Sequence, residues 1–208
     1  YWNMHRGNLK RTGYYEATLT GDVTVEVSHM ADWNLVGLPV GLADTDLMTV
    51  YPDAIEGTLF SFTDSYVQQD ALEAGTGYWL RFTEAGSNSL TGTPITGLTL
   101  SLQADWNLIS GLSTSMNVTD INDPEGIIIL GTVFGFGESY ELADVLEPGK
   151  AYWLRTTESG EVTLGGSTTS RVKEIPQLQS NTLRVRGMTL YFGIEVSDKL
   201  NYSLPPLP

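Results

Sequence analysis

The sequence predicts an all-β chain: two homologous β-sandwich-like modules in tandem, forming a pseudo-twofold pair, followed by a C-terminal β-hairpin. Three observations carry that prediction. The stretch Gly75-Thr76-Gly77-Tyr78-Trp79-Leu80-Arg81-Phe82-Thr83-Glu84 returns as Gly149-Lys150-Ala151-Tyr152-Trp153-Leu154-Arg155-Thr156-Thr157-Glu158. Ala31-Asp32-Trp33-Asn34-Leu35-Val36 returns as Ala104-Asp105-Trp106-Asn107-Leu108-Ile109. Nearly every apolar run between these landmarks has strand length and is bounded by Gly, Asn or Asp. The offset is 73 residues at Asp32 and Asp105 and 74 at Tyr78 and Tyr152, so a single inserted residue accounts for the drift. Coincidences this numerous at one offset mark a duplication.

In chain order, residues 1–21 carry turn residues without a sustained period and read as a connector or the closing piece of a preceding domain. The first module is placed at 22–97. Val23, Val25 and Val27 alternate with Thr24, Glu26 and Ser28, the period of a half-buried strand. Thr45-Asp46-Leu47-Met48-Thr49-Val50-Tyr51 predicts one or two helical turns, capped by Asp44 or Thr45 and stopped by Pro52. The second module is placed at 98–170, where Leu98, Leu100 and Leu102 alternate with polar neighbours and Thr119 to Pro124 allows only a shorter turn. Gly57-Thr58-Leu59-Phe60-Ser61-Phe62 pairs with Gly131-Thr132-Val133-Phe134-Gly135-Phe136, and Tyr66 pairs with Tyr140. Run spacing predicts about five strands per module. Residues 171–208 are no third copy. Two strand-like runs there flank Gly187-Met188 as a hairpin whose strands would complete the second module's sheet, and Leu204-Pro205-Pro206-Leu207-Pro208 reads as an extended linker.

Composition narrows the function classes. Lys and Arg number 11 against 25 Asp and Glu, a net charge of −14, so nucleic acid is not the expected partner: phosphate binding needs clustered cations. The same charge opposes anionic membrane surfaces, and no apolar run approaches the roughly 18 residues of a membrane-spanning helix. The chain has no cysteine, which removes disulfides, thiol nucleophiles and thiolate metal sites. Abundant Gly, Ser and Thr with 17% charged residues give the composition of an exported β-protein. The opening Tyr1-Trp2 lacks an initiator methionine, so the chain reads as a piece of something longer.

Three constellations are candidates for chemistry. Tyr78, Trp79, Tyr152 and Trp153 form recurring aromatic pairs, in which strand neighbours point to opposite faces and one of each pair is expected to be exposed. An exposed ring would stack on a sugar, while core packing is the competing use of the same residues. Arg81 and Arg155 recur in a chain with few cations. Each lies two residues after a Trp and is expected either to stack on it or to pair with Asp70 and Asp144, or with Glu73 and Glu147. Asp120, Asn122, Asp123 and Glu125 offer oxygen ligands suited to calcium, the one cofactor for which there is a candidate site, without the glycine spacing of an EF-hand; solvated turn carboxylates are the alternative. Catalysis is poorly supplied: the histidines, His5 and His29, do not recur, and no nucleophile elbow is present.

The succession Asp32-Trp33-Asn34-Leu35, Gly57 to Phe62, and Leu146-Glu147-Pro148-Gly149-Lys150-Ala151-Tyr152-Trp153-Leu154 resembles the tandem accessory β-modules near the C-terminal end of large secreted bacterial proteins of the type IX secretion cargo kind. The tail Leu200 to Pro208 is similar to the stretch leading into their sorting domain, and Arg6 to Gly13 to the segment leaving an upstream domain. The resemblance covers nearly the whole chain and brings no catalytic residues with it. It implies export, an extracellular or cell-surface location and an accessory role. The leading expectation is therefore a non-catalytic structural or attachment module, with other domains of its parent chain as partners and self-association as a further mode. A carbohydrate-binding module for polysaccharide is the second reading and a glycoside or other hydrolase the third.

Overall fold

The computed structural model describes residues 21–166, the strands 181–185 and 188–192, and residues 205–206. The expected connector, apart from Gly21, and most of the proline-rich exit lie outside the described residues. The architecture is all-β, as the alternating runs predict, and built from antiparallel sheets.

β1 (Val23–His29) leads into β2 (Asp32–Gly37) through a turn in which Asp32 adopts a left-handed φ of 72°. Asn34 closes that turn. Its side-chain oxygen accepts from the Met30 N–H, and its amide nitrogen donates to the Met30 and Asp32 carbonyls, each at 2.9 Å. β8 (Gly97–Leu102) and β9 (Asp105–Ser110) are joined in the same way, with Asp105 at φ 75° and Asn107 bonded to Gln103 and Asp105. Asp tolerates the left-handed region, and a carboxamide both donates and accepts, which is why Asp-Trp-Asn recurs. Asn34→Ala and Asn107→Ala are each expected to cost about 1–3 kcal/mol in urea unfolding. Asp32→Asn keeps the turn and removes only the ion pair to Arg81, whose side chains are 48% and 63% exposed, so it is expected to cost under about 1 kcal/mol.

The chain continues through β3 (Val40–Gly41), α1 (Leu47–Val50), β4 (Phe60–Thr63), β5 (Ser65–Gln68), β6 (Gly77–Phe82) and β7 (Gly86–Pro94). α1 is capped by neither Asp44 nor Thr45. The Asp46 side chain accepts from the Met48 N–H, while Asp44 braces the turn from outside by accepting from the Asp46 N–H and the Thr49 hydroxyl. One four-stranded sheet has the order β2-β6-β4-β5 and a second sheet the order β1-β7-β3. Between them Val27, Val40 and Leu90 meet Val36, Tyr78, Leu80 and Phe82 in one core.

After β9 come β10 (Met116–Asn117), a 3-10 turn at Val118–Asp120, β11 (Phe134–Phe136), β12 (Tyr140–Leu142), β13 (Val145–Leu146), β14 (Ala151–Thr156) and β15 (Gly160–Gly165). A four-stranded sheet of order β12-β11-β14-β9 covers the β15-β8 pair. Leu100, Leu102, Val162 and Leu164 pack there against Ile109, Tyr152 and Leu154. The registers agree between the halves: Trp33 faces Arg81 and Leu35 faces Trp79, as Trp106 faces Arg155 and Leu108 faces Trp153. Among the described residues, seven strands precede β8 and eight run from β8 to β15, more than the five per module expected, because the Phe-x-Phe runs fold into hairpins with Tyr66 and Tyr140 and short two-residue pairings add strands.

β16 (Asn181–Val185) and β17 (Met188–Phe192) form the expected hairpin, with Val185 opposite Met188. It does not complete the second half's sheet: among the described residues, these strands pair only with each other.

Candidate functional site: the aromatic seam

The two four-stranded sheets bury their remaining faces against each other. Leu35, Trp79, Leu108, Ala151 and Trp153 are buried in this seam, and Trp33, Phe60, Phe62, Tyr66, Trp106, Phe134, Phe136 and Tyr140 pack around them. The contacts cross reciprocally: Phe62 meets Trp153 edge-on with centroids 4.9 Å apart, and Phe136 meets Trp79 at 4.7 Å. Edge-to-face contact suits the ring quadrupoles and adds specificity to the burial.

Each Tyr-Trp pair is therefore buried on both sides. Trp79 and Trp153 are 0% exposed in the seam, while Tyr78 and Tyr152, at 2% and 5%, point into their own halves' cores. This corrects the expectation of one exposed member per pair. Strand alternation identifies two faces, but not what covers the second one. The Tyr78 hydroxyl accepts from the Glu73 N–H and the Tyr152 hydroxyl from the Glu147 N–H, both at 2.9 Å. No sugar ring can stack on any of these four without the packing opening first.

The glycine turns that enter β6 and β14 weld the halves together. Gly37 N–H donates to the Gly149 carbonyl at 3.0 Å, and Ser110 N–H to the Gly75 carbonyl at 2.9 Å. Lys150 Nζ donates to the Ser28 carbonyl at 2.6 Å. Burial pushes the Lys150 pKa down, partly opposed by Glu147. Beside the seam, loop 69–76 and strands β8 and β9 bound a groove of about 810 Å³ that also reaches Phe62 and Trp106.

Arg81 and Arg155 pair with neither Asp70 and Asp144 nor Glu73 and Glu147. Arg81 Nε binds Asp32 at 2.6 Å and Arg155 Nε binds Asp105 at 2.5 Å, and the guanidinium groups lie 6.0 and 5.5 Å from the rings of Trp33 and Trp106. The cation lies over the directly opposite Trp33 or Trp106 of the neighbouring strand, rather than over the Trp two residues earlier, which is fully enclosed.

The residues considered for calcium are dispersed into separate local contacts instead. Asp123 accepts from the N–H groups of Gly126, Ile127 and Ile128 at 2.8–3.0 Å, Asp120 accepts from the Asn117 amide at 2.9 Å, Asn122 pairs through its backbone with Thr163, and Glu125 is exposed. Among the described residues, no three His, Asp or Glu side chains gather closely enough to hold a metal ion. His29 is buried and stacked on Phe82 with centroids 3.7 Å apart.

One edge of the seam is polar. Trp79 Nε1 donates to the Tyr66 hydroxyl at 3.2 Å, Tyr66 donates to the Pro206 carbonyl at 2.8 Å, and Tyr140 donates to the same carbonyl. Burial pushes the Tyr66 pKa up to about 12, with the Trp79 hydrogen bond opposing the shift. Tyr140 is raised too, first by burial and then by the adjacent Tyr66. Burial likewise raises Tyr51, Tyr78 and Tyr152. A tyrosine whose folded-state pKa lies above its unfolded value stabilises the fold fully below pH 10, and that contribution is lost as pH rises toward the folded value. Lys150, shifted the other way, gains stability with pH below about 10.5, but it stands alone against five tyrosines. The denaturation midpoint is expected to hold up to about pH 10 and then fall steeply by about pH 12, as read by circular dichroism. An unchanged midpoint across that window would contradict the burial of these hydroxyls.

Comparison with known proteins found no matching family model, no matching curated protein and no matching solved structure.

Proposed function

We propose that the chain is a non-catalytic structural or attachment module of a secreted or cell-surface protein, built by duplication of one β-module whose copies are welded face to face. One observation supports this above all: the recurring residues are consumed in holding the two halves in place. The tryptophans fill the seam, the arginines neutralise turn aspartates, the asparagines close turns and the glycine carbonyls bridge the halves. When duplicated residues are spent on shape, the selected property is a stiff unit of fixed geometry, suited to spacing or anchoring neighbouring domains. The acidic surface keeps such a unit apart from like-charged chains.

The test has two arms. A reporter carrying this chain is expected to be retained at the surface of the cell that exports it, while a reporter alone is released. The purified chain is expected to be blank on a glycan array and on glycoside, ester and peptide substrates. Saturable glycan binding or turnover by the purified chain would replace this reading.

A further inference from the structure

We propose that the Tyr66–Tyr140 edge of the seam is a proline-recognition site whose ligand is an extended segment with two consecutive prolines, and that the chain's own Pro205-Pro206 is its resident ligand in cis. The inference stands whether or not the chain is an attachment module, because it rests on contacts rather than location.

The Pro206 carbonyl receives two hydroxyl hydrogen bonds, one from each half of the molecule. A carbonyl oxygen has two lone pairs, so this acceptor is saturated by a matched pair of donors. The donors are held by aromatic neighbours: Tyr66 lies against Phe62 with centroids 5.3 Å apart, and Tyr140 against Phe136 at 5.4 Å. Pro205 is buried at this edge, and Pro206 is half-buried.

Proline suits the site for three physical reasons. Its ring locks φ, and a proline that precedes another proline is held extended, so the segment arrives with little conformational entropy left to lose. It has no N–H, so burying it leaves no backbone donor unsatisfied. Its ring is an apolar plate that packs on aromatic side chains, which is how aromatic-lined grooves select left-handed extended segments. Because each hydroxyl belongs to a different half, the seated proline also reads their spacing. Pro206 thus bridges the two halves at the edge of the seam.

The experiment uses the full chain and a synthetic peptide, Ser-Leu-Pro-Pro-Leu-Pro. In the variant Pro205→Asp/Pro206→Asp a buried ring is replaced by carboxylates, which vacates the site. That variant is expected to bind the peptide saturably and at least about tenfold more tightly than the wild-type chain, whose site is filled. Adding Tyr66→Phe and Tyr140→Phe should weaken the peptide about tenfold or more. The chain has no cysteine, so a fluorophore on a cysteine appended after Pro208 reports the tail independently. Its anisotropy should be high in the otherwise wild-type chain, fall in Tyr66→Phe/Tyr140→Phe, and be independent of protein concentration. Peptide binding that ignores the tyrosine substitutions, no binding by a vacated chain with wild-type near-ultraviolet circular dichroism, or a tail already free in the wild type would each overturn the proposal. Tail anisotropy that rises with concentration as dimers form would overturn the cis assignment.

Discussion

Trp79→Ala is expected to destabilise the chain by about 3–5 kcal/mol, and Trp153→Ala by a similar amount. Both indoles are fully buried, and each is the edge-on partner of a phenylalanine from the opposite half. Truncating either leaves a cavity at the joint between the halves rather than inside one of them. The double variant should therefore cost less than the sum of the two, with a coupling of about 0.5–3 kcal/mol, since the second cavity opens into a seam already loosened. Urea unfolding of the four species measures the coupling directly. Strict additivity would mean that the two tryptophans do not share an interface.

Gly149→Ala is the second large effect. Gly149 has a left-handed φ of 75°, and a Cβ there would lie 2.3 Å from Val27 Cγ2 in the other half. The backbone term is about 1–2 kcal/mol and the forced shift of β1 adds about 1–3 kcal/mol. Gly131→Ala separates the two contributions. Its φ is 77°, but its Cβ would meet nothing within 4 Å, so only the backbone cost of about 1–2 kcal/mol is expected. Thermal unfolding should place Gly149→Ala well below Gly131→Ala. Equal midpoints would deny the close approach of the halves at this turn.

The strands were legible because β1 and β8 are covered on one face, so Val23, Val25 and Val27 alternate with polar residues as a half-buried strand must. Asp32, Asn34 and their counterparts were visible only as a recurrence; their turn-closing role comes from backbone contacts two and four residues away that the sequence does not display. What Tyr78-Trp79 and Tyr152-Trp153 face was not legible. Leu80 and Leu154 complete a continuous apolar run in each strand, the signature of burial on both sides, whereas strict period-two alternation leaves one side to solvent. The partners of Arg81 and Arg155 depend on cross-strand register, which their sequence neighbours do not reveal. The convergence of Tyr66 and Tyr140 on Pro206 joins residues separated by 140 and 66 positions. The recurrence of the two tyrosines was visible, but nothing local marks their shared acceptor.

The aromatic seam joins the two halves into one body. Residue-resolved hydrogen exchange of the Trp79 and Trp153 indole N–H groups tests it most directly. Both are expected to exchange only through global unfolding, with the same free energy as each other and as denaturant unfolding of the whole chain. Exchange of either indole at a markedly lower free energy, through separation of the halves while their cores stay folded, would contradict it.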